Sequence, residues 1–451
     1  MPSQRTAMNF ITNLEEKFID KFLPLRINMV NRFSFKCLFT SFLLVTSLSC
    51  IEKQSSAIYL NPEPLNDILN RYVEGGIWPF LYSKIVDGNS GDVVYEHLAV
   101  NKRLLPNQNI DGSTWMRIWS MSKLVTISLA MDLMEEGLFY LDDPVHKYIP
   151  EFSNLMVAVD SNGESISRSR KVDLDCPHEL VNTDSVMTVQ HLFNHTAGFY
   201  YALTPSKCLN EQIDSNKLLQ AKSGNQLIDL LSNLPLIQHP GETYFYGLNT
   251  SVLGLLLERV TGISLSQIFV DRIGNPAKLN GLAYTKPKGI ELLPTFTGRD
   301  GNLREIMEGE LDIFGGEVPN YSRENNLFLG GEGMLGTADG YIRFMQLLFF
   351  NDGNTFLKEE SIQKMSSKPN VEENNYGYNT GFGMYLTSRD HAFEKDILRV
   401  GGYEKTKCWV DRKNNLIGTL FSQANETQDS DGLSNQMEQD FKKELFSQLN
   451  K

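Results

Sequence analysis

Apolar residues recur along the chain with two periods, one typical of helices and one typical of strands. Residues 65–73 carry apolar side chains at helical spacing, and residues 92–100 follow an Asn-Ser-Gly turn and are rich in β-favouring residues. From residue 120 to Gly137 the chain is apolar on more than one helical face. A helix with that pattern is predicted to lie buried at the centre of a fold.

Helical patterns dominate the middle of the chain, and strand patterns return near its end. Further helices are predicted at residues 189–194, 226–234, 250–260, 339–350 and 360–365. Strands are predicted at residues 381–386, 397–400, 407–410 and 416–421, before a last amphipathic helix at residues 433–449. Residues 154–184 are polar and rich in turn-forming residues, which predicts an exposed, inserted loop.

The order of these elements predicts an α/β architecture with two lobes. Strands from both ends of the chain are expected to join in one sheet, so the α/β lobe comprises residues 63–118 and 376–451. A mostly helical lobe, residues 119–375, is inserted between them. Together they form a single bilobal domain over residues 63–451.

The first fifty residues are predicted to direct export. Basic residues precede an apolar run at residues 37–48, which is shorter than the roughly 20 residues of a membrane-spanning helix. Ser47-Leu48-Ser49-Cys50 resembles a bacterial lipoprotein box, although Ser47 stands where leucine is usual. We therefore expect lipidation of Cys50, with plain cleavage as the alternative. The expected location is the periplasm or the outer membrane of a bacterium.

Two short regions flank this export segment. Met29 lies just before the basic residues, so the natural start could be there, with residues 1–28 a mis-called extension. Residues 51–62 are predicted to form a tether between the export segment and the folded domain.

Charge and cysteine content exclude several classes of function. The chain has 42 basic and 55 acidic residues, a formal net charge of −13, which argues against nucleic acid or an anionic membrane as its main partner. After Cys50 only three cysteines remain, too few for a disulfide scaffold. Cys176 and Cys208 could pair, or they could be buried thiols. Metal-binding Cys-x-x-Cys spacing is absent from the sequence.

A Ser-x-x-Lys motif occurs twice and provides the first candidate chemistry. Residues three apart share a helix face, so a serine at a helix start lies beside the lysine amine. At the head of the apolar helix, burial would favour the neutral amine of Lys123, which could then exchange a proton with Ser120. Ser361 and Lys364 instead follow charged residues and are predicted to lie on a solvated surface. Ser120 is therefore the candidate nucleophile.

Five segments, in order along the chain, carry a family resemblance: residues 113–123, 137–145, 188–198, 240–254 and 330–339. They resemble the serine β-lactamase and penicillin-binding-protein superfamily, nearest its class C β-lactamase-like esterases and D-amino-acid peptidases. The agreement is spread over residues 80–425. It implies a β-lactamase/transpeptidase-like fold, in which helices flank an antiparallel sheet, and it implies that residues 63–451 form a catalytic domain.

The resemblance also implies catalytic roles. Ser120 corresponds to the acylated nucleophile, Lys123 to its proton partner, and Tyr246 to a second base that helps to deprotonate first the serine and then water. A tyrosine can do this where a lysine ammonium stabilises its phenolate. The family often has asparagine two residues after this tyrosine. Here Leu248 stands there and Asn249 follows it, which weakens the case for amide recognition.

The third family motif lies on a sheet edge and reads Val400-Gly401-Gly402 here, followed by Tyr403. Gly401 and Gly402 suit a strand whose backbone the substrate approaches closely, so we expect them to bind substrate. The resemblance implies that the backbone amides of Ser120 and Tyr403 form the oxyanion hole. Relatives that bind β-lactams have Lys-Thr-Gly or His-x-Gly, whereas Val400 offers no charge. The motif therefore favours an esterase.

Other kinds of site are less well supported by the sequence. His191 and His195 are four apart on a predicted helix, as zinc ligands can be, but Leu192 stands where a zincin needs glutamate. We interpret both histidines as structural. A Gly-x-Ser-x-Gly elbow, a phosphate loop and a dinucleotide fingerprint are all absent. Neither a metal nor a cofactor is expected.

The sequence thus predicts an exported serine hydrolase that cleaves a small-molecule ester or amide through a Ser120 acyl-enzyme. One alternative is a β-lactamase or D-alanyl peptidase/transpeptidase that acts on peptidoglycan peptides, which the missing Lys-Thr-Gly disfavours. Another is an inactive binding protein of the same fold, which the intact Ser120, Lys123 and Tyr246 disfavour. The identity of the substrate and the oligomeric state are not encoded in a readable motif.

Overall fold

The computed structural model describes residues 58–450 with internal gaps. The gaps are residues 170–173, 175, 217, 219–220, 299–301, 308–309, 311–320, 323, 351–355, 367–378, 383, 387–396 and 426–432. The predicted export segment, Cys50 and most of the predicted tether lie outside the described residues.

The described chain contains fourteen strands. They are β1 Phe80–Asp87, β2 Val93–Val100, β3 Met116–Arg117, β4 Met156–Val159, β5 Glu179–Asn182, β6 Leu282–Ala283, β7 Phe296–Thr297, β8 Arg304–Glu305, β9 Leu335–Gly336, β10 Asn379–Gly381, β11 Met384–Leu386, β12 Ile397–Gly401, β13 Lys407–Asp411 and β14 Leu416–Phe421.

Ten α-helices are present in the same part of the chain. They are α1 Pro62–Glu74, α2 Ser122–Glu135, α3 Val189–Phe193, α4 Lys207–Asn216, α5 Gly224–Ser232, α6 Asn249–Thr261, α7 Leu265–Phe269, α8 Ala338–Phe349, α9 Glu359–Ser366 and α10 Leu433–Leu449.

Seven strands form one antiparallel sheet in the order β10-β11-β12-β13-β14-β1-β2. The central contact joins β14, near the end of the chain, to β1, near its beginning, with Gly418 opposite Ile85. The sheet is therefore built from both ends of the chain, and the helices between β3 and β10 come from the middle.

Side chains of the sheet alternate between two cores on its opposite faces. On β1, Leu81 and Ile85 pack with α1 and α10, whereas Tyr82 and Val86 face the larger core that holds α2 and α8. The same alternation places the Trp409 ring against Phe441 of α10, with ring centroids 6.5 Å apart. Each face of the sheet is thus covered by helices.

α2 is the central helix of the larger core. Eleven of its 14 residues are buried, and it packs against α6. A helix without a solvent face has to be apolar nearly all round, so the predicted central helix is confirmed. The buried set includes Lys123, which therefore lies among apolar residues.

Two predictions from local patterns were wrong. Residues 154–184 are not simply an exposed loop: β4 and β5 pair within them, and Val157 and Ala158 are fully buried. Four apolar residues at 156–159 form a strand despite the turn residues that follow. Residues 381–386, predicted as a single strand, belong to two strands instead, since β10 and β11 pair antiparallel with Gly381 opposite Met384.

A third prediction was only partly right. Ser361 was expected on a solvated surface, but it is 7% exposed and lies on the inner face of α9 with Ile362 and Met365. Lys364 of the same motif is exposed. Three-residue spacing alone did not reveal that α9 buries its serine.

Cys176 and Cys208, whose pairing the sequence left open, form a disulfide with Cα atoms 6.1 Å apart, and Cys408 is a buried free thiol. Among the described residues, no single helix is long and apolar enough to cross a membrane, although the bent pair Asn249–Thr261 and Leu265–Gly274 would pass by length and composition.

Candidate active site

Ser120 lies in a 3₁₀ turn, Trp119–Met121, directly before α2. Trp119 has a φ of +46°, in the left-handed region that residues other than glycine rarely adopt. The turn is held in place by Tyr341 of α8, whose hydroxyl donates to the Met121 carbonyl at 2.9 Å. The nucleophile candidate therefore sits on a strained turn that a neighbouring helix fixes.

The structure brings the three sequence-predicted residues together around one oxygen atom. The Tyr246 hydroxyl donates to Ser120 Oγ at 2.7 Å, and Lys123 Nζ donates to the same oxygen at 3.2 Å. Lys123 Nζ also lies 4.8 Å from the centroid of the Tyr246 ring. Two groups that can accept a proton are thus within hydrogen-bond reach of the serine, as nucleophilic catalysis requires.

Lys123 occupies a buried pocket with three further oxygen neighbours. Its Nζ donates to the Gly331 carbonyl at 2.9 Å and to the Tyr201 hydroxyl at 3.2 Å, and it lies 3.9 Å from Glu332 Oε2. A Cβ atom at Gly331 would lie 3.2 Å from Nζ and 2.8 Å from Ser251 Oγ. A glycine at position 331 therefore leaves the space that the Lys123 ammonium occupies.

Glu332, like Tyr201, is a residue of this site that the sequence analysis missed. It is 2% exposed, and its Oε2 accepts from Ser251 Oγ at 2.9 Å and from the Tyr201 hydroxyl at 3.3 Å. The pKa of the Glu332 carboxyl is raised, because the effect of burial outweighs the opposing effects of the Lys123 ammonium and the two hydroxyls. The available signal was a single acidic residue among the glycines at 330–333, at the start of a family segment.

The ring of His195 packs against the ring of Tyr246. The two rings are stacked, with centroids 4.9 Å apart and planes 22° apart. Burial, with a contribution from Lys123, lowers the pKa of His195 to about 3, so its imidazole is neutral near pH 7. α3 ends at Phe193, so His195 does not share a helix with His191 as predicted. His191 instead accepts from the Thr188 backbone in the cap of α3.

The residues after Tyr246 are used inside the fold. Leu248 is 1% exposed, and Asn249, the first residue of α6, is fully buried. The Asn249 side-chain amide donates to the Phe199 carbonyl at 3.1 Å. This amide ties α6 to the segment after α3.

The end of β12 approaches the nucleophile turn from the sheet side. A Cβ atom at Gly402 would overlap the Ile118 carbonyl oxygen, so only glycine permits this close approach. The next residue, Tyr403, packs edge-on against Trp119 with ring centroids 5.6 Å apart. At Gly401, by contrast, a Cβ atom would meet its nearest neighbour at an ordinary 3.6 Å. The Gly402–Tyr403 backbone thus lies beside the Ser120 turn.

Val400 precedes these glycines on β12. It is 5% exposed and belongs to the larger core. The sequence analysis expected this motif on a sheet edge, but β12 is an inner strand between β11 and β13. An inner strand therefore carries an apolar residue where β-lactam-binding relatives are expected to have a cation.

One group of possible metal ligands lies elsewhere in the described part of the chain. Ligand atoms of Cys176, His178 and Cys208 all fall within 4.8 Å of one another. The two cysteines are joined in a disulfide, so neither offers the thiolate that a metal binds.

Comparisons with known proteins agree on one family. A family model described as Beta-lactamase matches residues 84–439. The ML-236A carboxylate methylbutanoyltransferase of Penicillium citrinum is 27% identical over 265 residues, which cover 58% of this chain and 57% of that protein. The lovastatin esterase of Penicillium rubens is 24% identical over 395 residues, covering 79% of this chain and 91% of that esterase.

A solved structure supports the same fold. EstCE1, described as a hydrolase with promiscuous acyltransferase activity, matches with a TM-score of 0.65 at 20% identity. The match covers 85% of this chain and 98% of EstCE1. The architecture described above is therefore shared with a hydrolase over nearly the whole of that molecule.

Proposed function

This chain belongs to the β-lactamase family of serine hydrolases and acyltransferases, and from that premise we propose that it cleaves carboxylic esters through an acyl-enzyme on Ser120. The observation that carries the proposal is the geometry at Ser120 Oγ, which has the Tyr246 hydroxyl at 2.7 Å and Lys123 Nζ at 3.2 Å. Both lie close enough to take the serine proton as the nucleophile attacks.

The proposed reaction has two halves. Ser120 Oγ bonds to the acyl carbon while its proton passes to the Lys123–Tyr246 pair, and the carbonyl electrons move onto the carbonyl oxygen. The Ser120 and Tyr403 backbone amides would stabilise that oxyanion. The leaving alkoxide takes the proton as its bond to carbon breaks. Water then attacks the acyl carbon while its proton passes to the Lys123–Tyr246 pair. The bond from the acyl carbon to Ser120 Oγ breaks, and Ser120 Oγ takes that proton back as the carboxylic acid is released.

Two features favour an ester over an amide or a β-lactam as the substrate. Val400 is apolar and buried where a cation would pair with a β-lactam carboxylate. The side-chain amide of Asn249 donates to the Phe199 carbonyl within the fold rather than to a substrate amide. Since relatives include a protein named as an esterase, the ester is also the simpler assignment.

Acyl transfer to an alcohol is the second candidate function. It differs only in the second half-reaction, where an alcohol replaces water as the acceptor. The names of relatives favour it, because one is a methylbutanoyltransferase and EstCE1 has promiscuous acyltransferase activity. Product analysis with added primary and secondary alcohols would separate the two fates of the acyl-enzyme.

The decisive experiment is intact-mass spectrometry of the protein after exposure to p-nitrophenyl esters, penicillins and D-alanyl peptides. We expect an acyl adduct from the esters, and we expect Ser120→Ala to abolish both this adduct and fluorophosphonate labelling. Ser361→Ala, in the second Ser-x-x-Lys motif, is the matched control and should label normally. Labelling that persists in Ser120→Ala would reject Ser120, and a wild-type protein that never labels would favour the inactive binding protein.

We further propose that the chain is exported and anchored through a lipid on Cys50. The apolar run before Cys50 and the Cys176–Cys208 disulfide support export, because disulfides persist in oxidising compartments. Cell fractionation of the full chain should place it with membranes, and Cys50→Ser should release it into a soluble exported fraction. Recovery of both proteins from the cytoplasm would contradict the proposal.

A further inference from the structure

The buried carboxylate of Glu332 has no role in the reaction described above, yet it lies 3.9 Å from Lys123 Nζ. It belongs to the turn at residues 330–332, and two hydroxyls donate to its Oε2, Ser251 Oγ at 2.9 Å and Tyr201 at 3.3 Å. Tyr201 in turn accepts from Lys123 at 3.2 Å. Glu332 is thus joined to the lysine both directly and through a tyrosine.

The other groups around Glu332 do not supply a positive charge. The Glu332 charge acts on Tyr284 and Tyr321, but burial raises the pKa of each phenol, so both stay neutral. A neutral phenol cannot balance the charge of the carboxylate. His195, whose ring stacks on Tyr246, is also neutral because burial lowers its pKa to about 3. Among the groups that the structure describes around this carboxylate, Lys123 is the cation.

A carboxylate in this position depends on its partner. Removing an ion from water is costly, and a buried pair is tolerated only where charge and hydrogen bonds compensate both members. Glu332 and Lys123 are 2% and 5% exposed. An anionic Glu332 therefore requires an ammonium on Lys123, and an ammonium on Lys123 is stabilised by an anionic Glu332.

We propose that Glu332 is the positioning residue of the active site: its carboxylate holds the Lys123 ammonium beside Ser120 and Tyr246, and it sets the pH at which the Lys123–Tyr246 pair gives up one proton. This rests on the proposed function, because it assigns a role within the Ser120 reaction. Glu332 does not touch the substrate and acts through Lys123.

The direction of the effect on pH dependence follows from charge. The lysine and the tyrosine share a proton that must leave before the pair can accept one from Ser120. A nearby negative charge retains that proton, so removing the charge lets it leave at lower pH. Removing the Glu332 charge also makes the form with a lysine ammonium and a tyrosine phenolate less favourable relative to the form in which both groups are neutral.

The first test is the pH profile of kcat/KM for p-nitrophenyl acetate with Glu332→Gln. We expect the low-pH limb to move down by roughly one pH unit, as for loss of a charge within 4–6 Å, and the plateau to fall about tenfold with KM little changed. Glu258→Gln is the matched control. Glu258 is a half-buried glutamate that accepts from the Leu265 backbone at 2.7 Å, and the Lys123 charge is not among the groups that shift its pKa.

The control should leave the low-pH limb where it is in the wild type. A Glu332→Gln profile whose limb is also unmoved would overturn the proposal, because a purely structural glutamate, or one already protonated, predicts that outcome.

The second test does not depend on catalysis. The test is a double-mutant cycle of Lys123 and Glu332. Lys123→Met leaves the buried Glu332 carboxylate without its cation, so Tm should drop by several degrees at pH 8. The drop should be smaller at pH 5, where the stranded carboxyl can take up a proton in the folded state. Adding Glu332→Gln to Lys123→Met should recover most of the lost Tm. Tm losses that simply add would overturn the proposal, even where Glu332→Gln alone folds poorly.

The two failures can be told apart. If Ser120→Ala retains hydrolysis, the proposed function fails, whatever the result of the stability cycle. If Ser120→Ala is inactive but the cycle is additive and the pH limb unmoved, the role of Glu332 alone fails.

Discussion

Tyr246→Phe removes one oxygen atom from the candidate active site and leaves almost everything else in place. The stacking on His195 and the position of the ring 4.8 Å from Lys123 Nζ involve ring atoms that phenylalanine keeps. What is lost is the hydroxyl that lies 2.7 Å from Ser120 Oγ. The variant therefore isolates the proton-transfer role of the tyrosine from its packing role.

The expected magnitude follows from that single contact. General base catalysis contributes about 10²–10⁴-fold, so kcat/KM for p-nitrophenyl acetate should fall by roughly 10³, about 4 kcal/mol in the barrier. The free energy of unfolding should change by less than about 1 kcal/mol, because the bond to Ser120 Oγ is only part-buried and no cavity larger than one atom is made. Steady-state kinetics and thermal unfolding of the same preparation measure both.

Tyr244→Phe is the control for this prediction. Tyr244 is buried two residues before Tyr246, and its ring also lies near His195, with centroids 5.7 Å apart. The same chemical change there should leave kcat/KM within about threefold of wild type. Tyr246→Phe that kept more than a tenth of wild-type kcat/KM would refute the reasoning, and Lys123 would then be the base.

Three further predictions follow from the site. Lys123→Arg keeps the charge but cannot release its proton, so kcat should fall below a tenth of wild type, a loss above roughly 1.4 kcal/mol, whereas Lys364→Arg in the second motif should be unchanged. Hydrolysis of short p-nitrophenyl esters should exceed that of nitrocefin by roughly 10³ in kcat/KM, because Val400 offers a β-lactam carboxylate no cation; comparable turnover would contradict this. Gly402→Ala should destabilise the fold by about 1–3 kcal/mol in chemical denaturation, because the new methyl meets the Ile118 carbonyl, while Gly401→Ala should cost less.

Elements whose pattern is local were predictable from the sequence. The last helix, α10, has the bounds expected from its amphipathic spacing, and β14 likewise spans the predicted residues. The central position of α2 was predictable because a helix that is apolar on all faces can only be buried. In each case the residues that decide the structure lie within one element.

Features that depend on distant contacts were not predictable in the same way. The apolar run 156–159 becomes β4 because it pairs with β5 and lies beside Leu236, far along the chain. His195 leaves the helical path with a φ of +55°, and its ring is fixed by the stack on Tyr246. The local sequence around each segment does not reveal these distant contacts.

Glu332 shows the same limit within the active site. Its segment was recognised as a family motif, but an acidic residue in a glycine-rich turn is ordinarily solvated. Only the fold reveals that the turn is buried against Lys123, Tyr201 and Ser251, which come from three separate parts of the chain. The chemistry of a buried carboxylate is set by such neighbours rather than by its own sequence context.

The position of the Ser120 turn explains why the fold needs both the sheet and the helical region. On one side, Gly402 and Tyr403 at the end of β12 pack against Ile118 and Trp119, which would place the oxyanion-hole amide. On the other side, Tyr246 and Lys123 reach Ser120 Oγ from the helical region. Oxyanion stabilisation and proton transfer must act on the same carbonyl at once, and both depend on donors and acceptors fixed in advance. A displacement between the end of β12 and α2 would therefore weaken catalysis even if every catalytic side chain were intact.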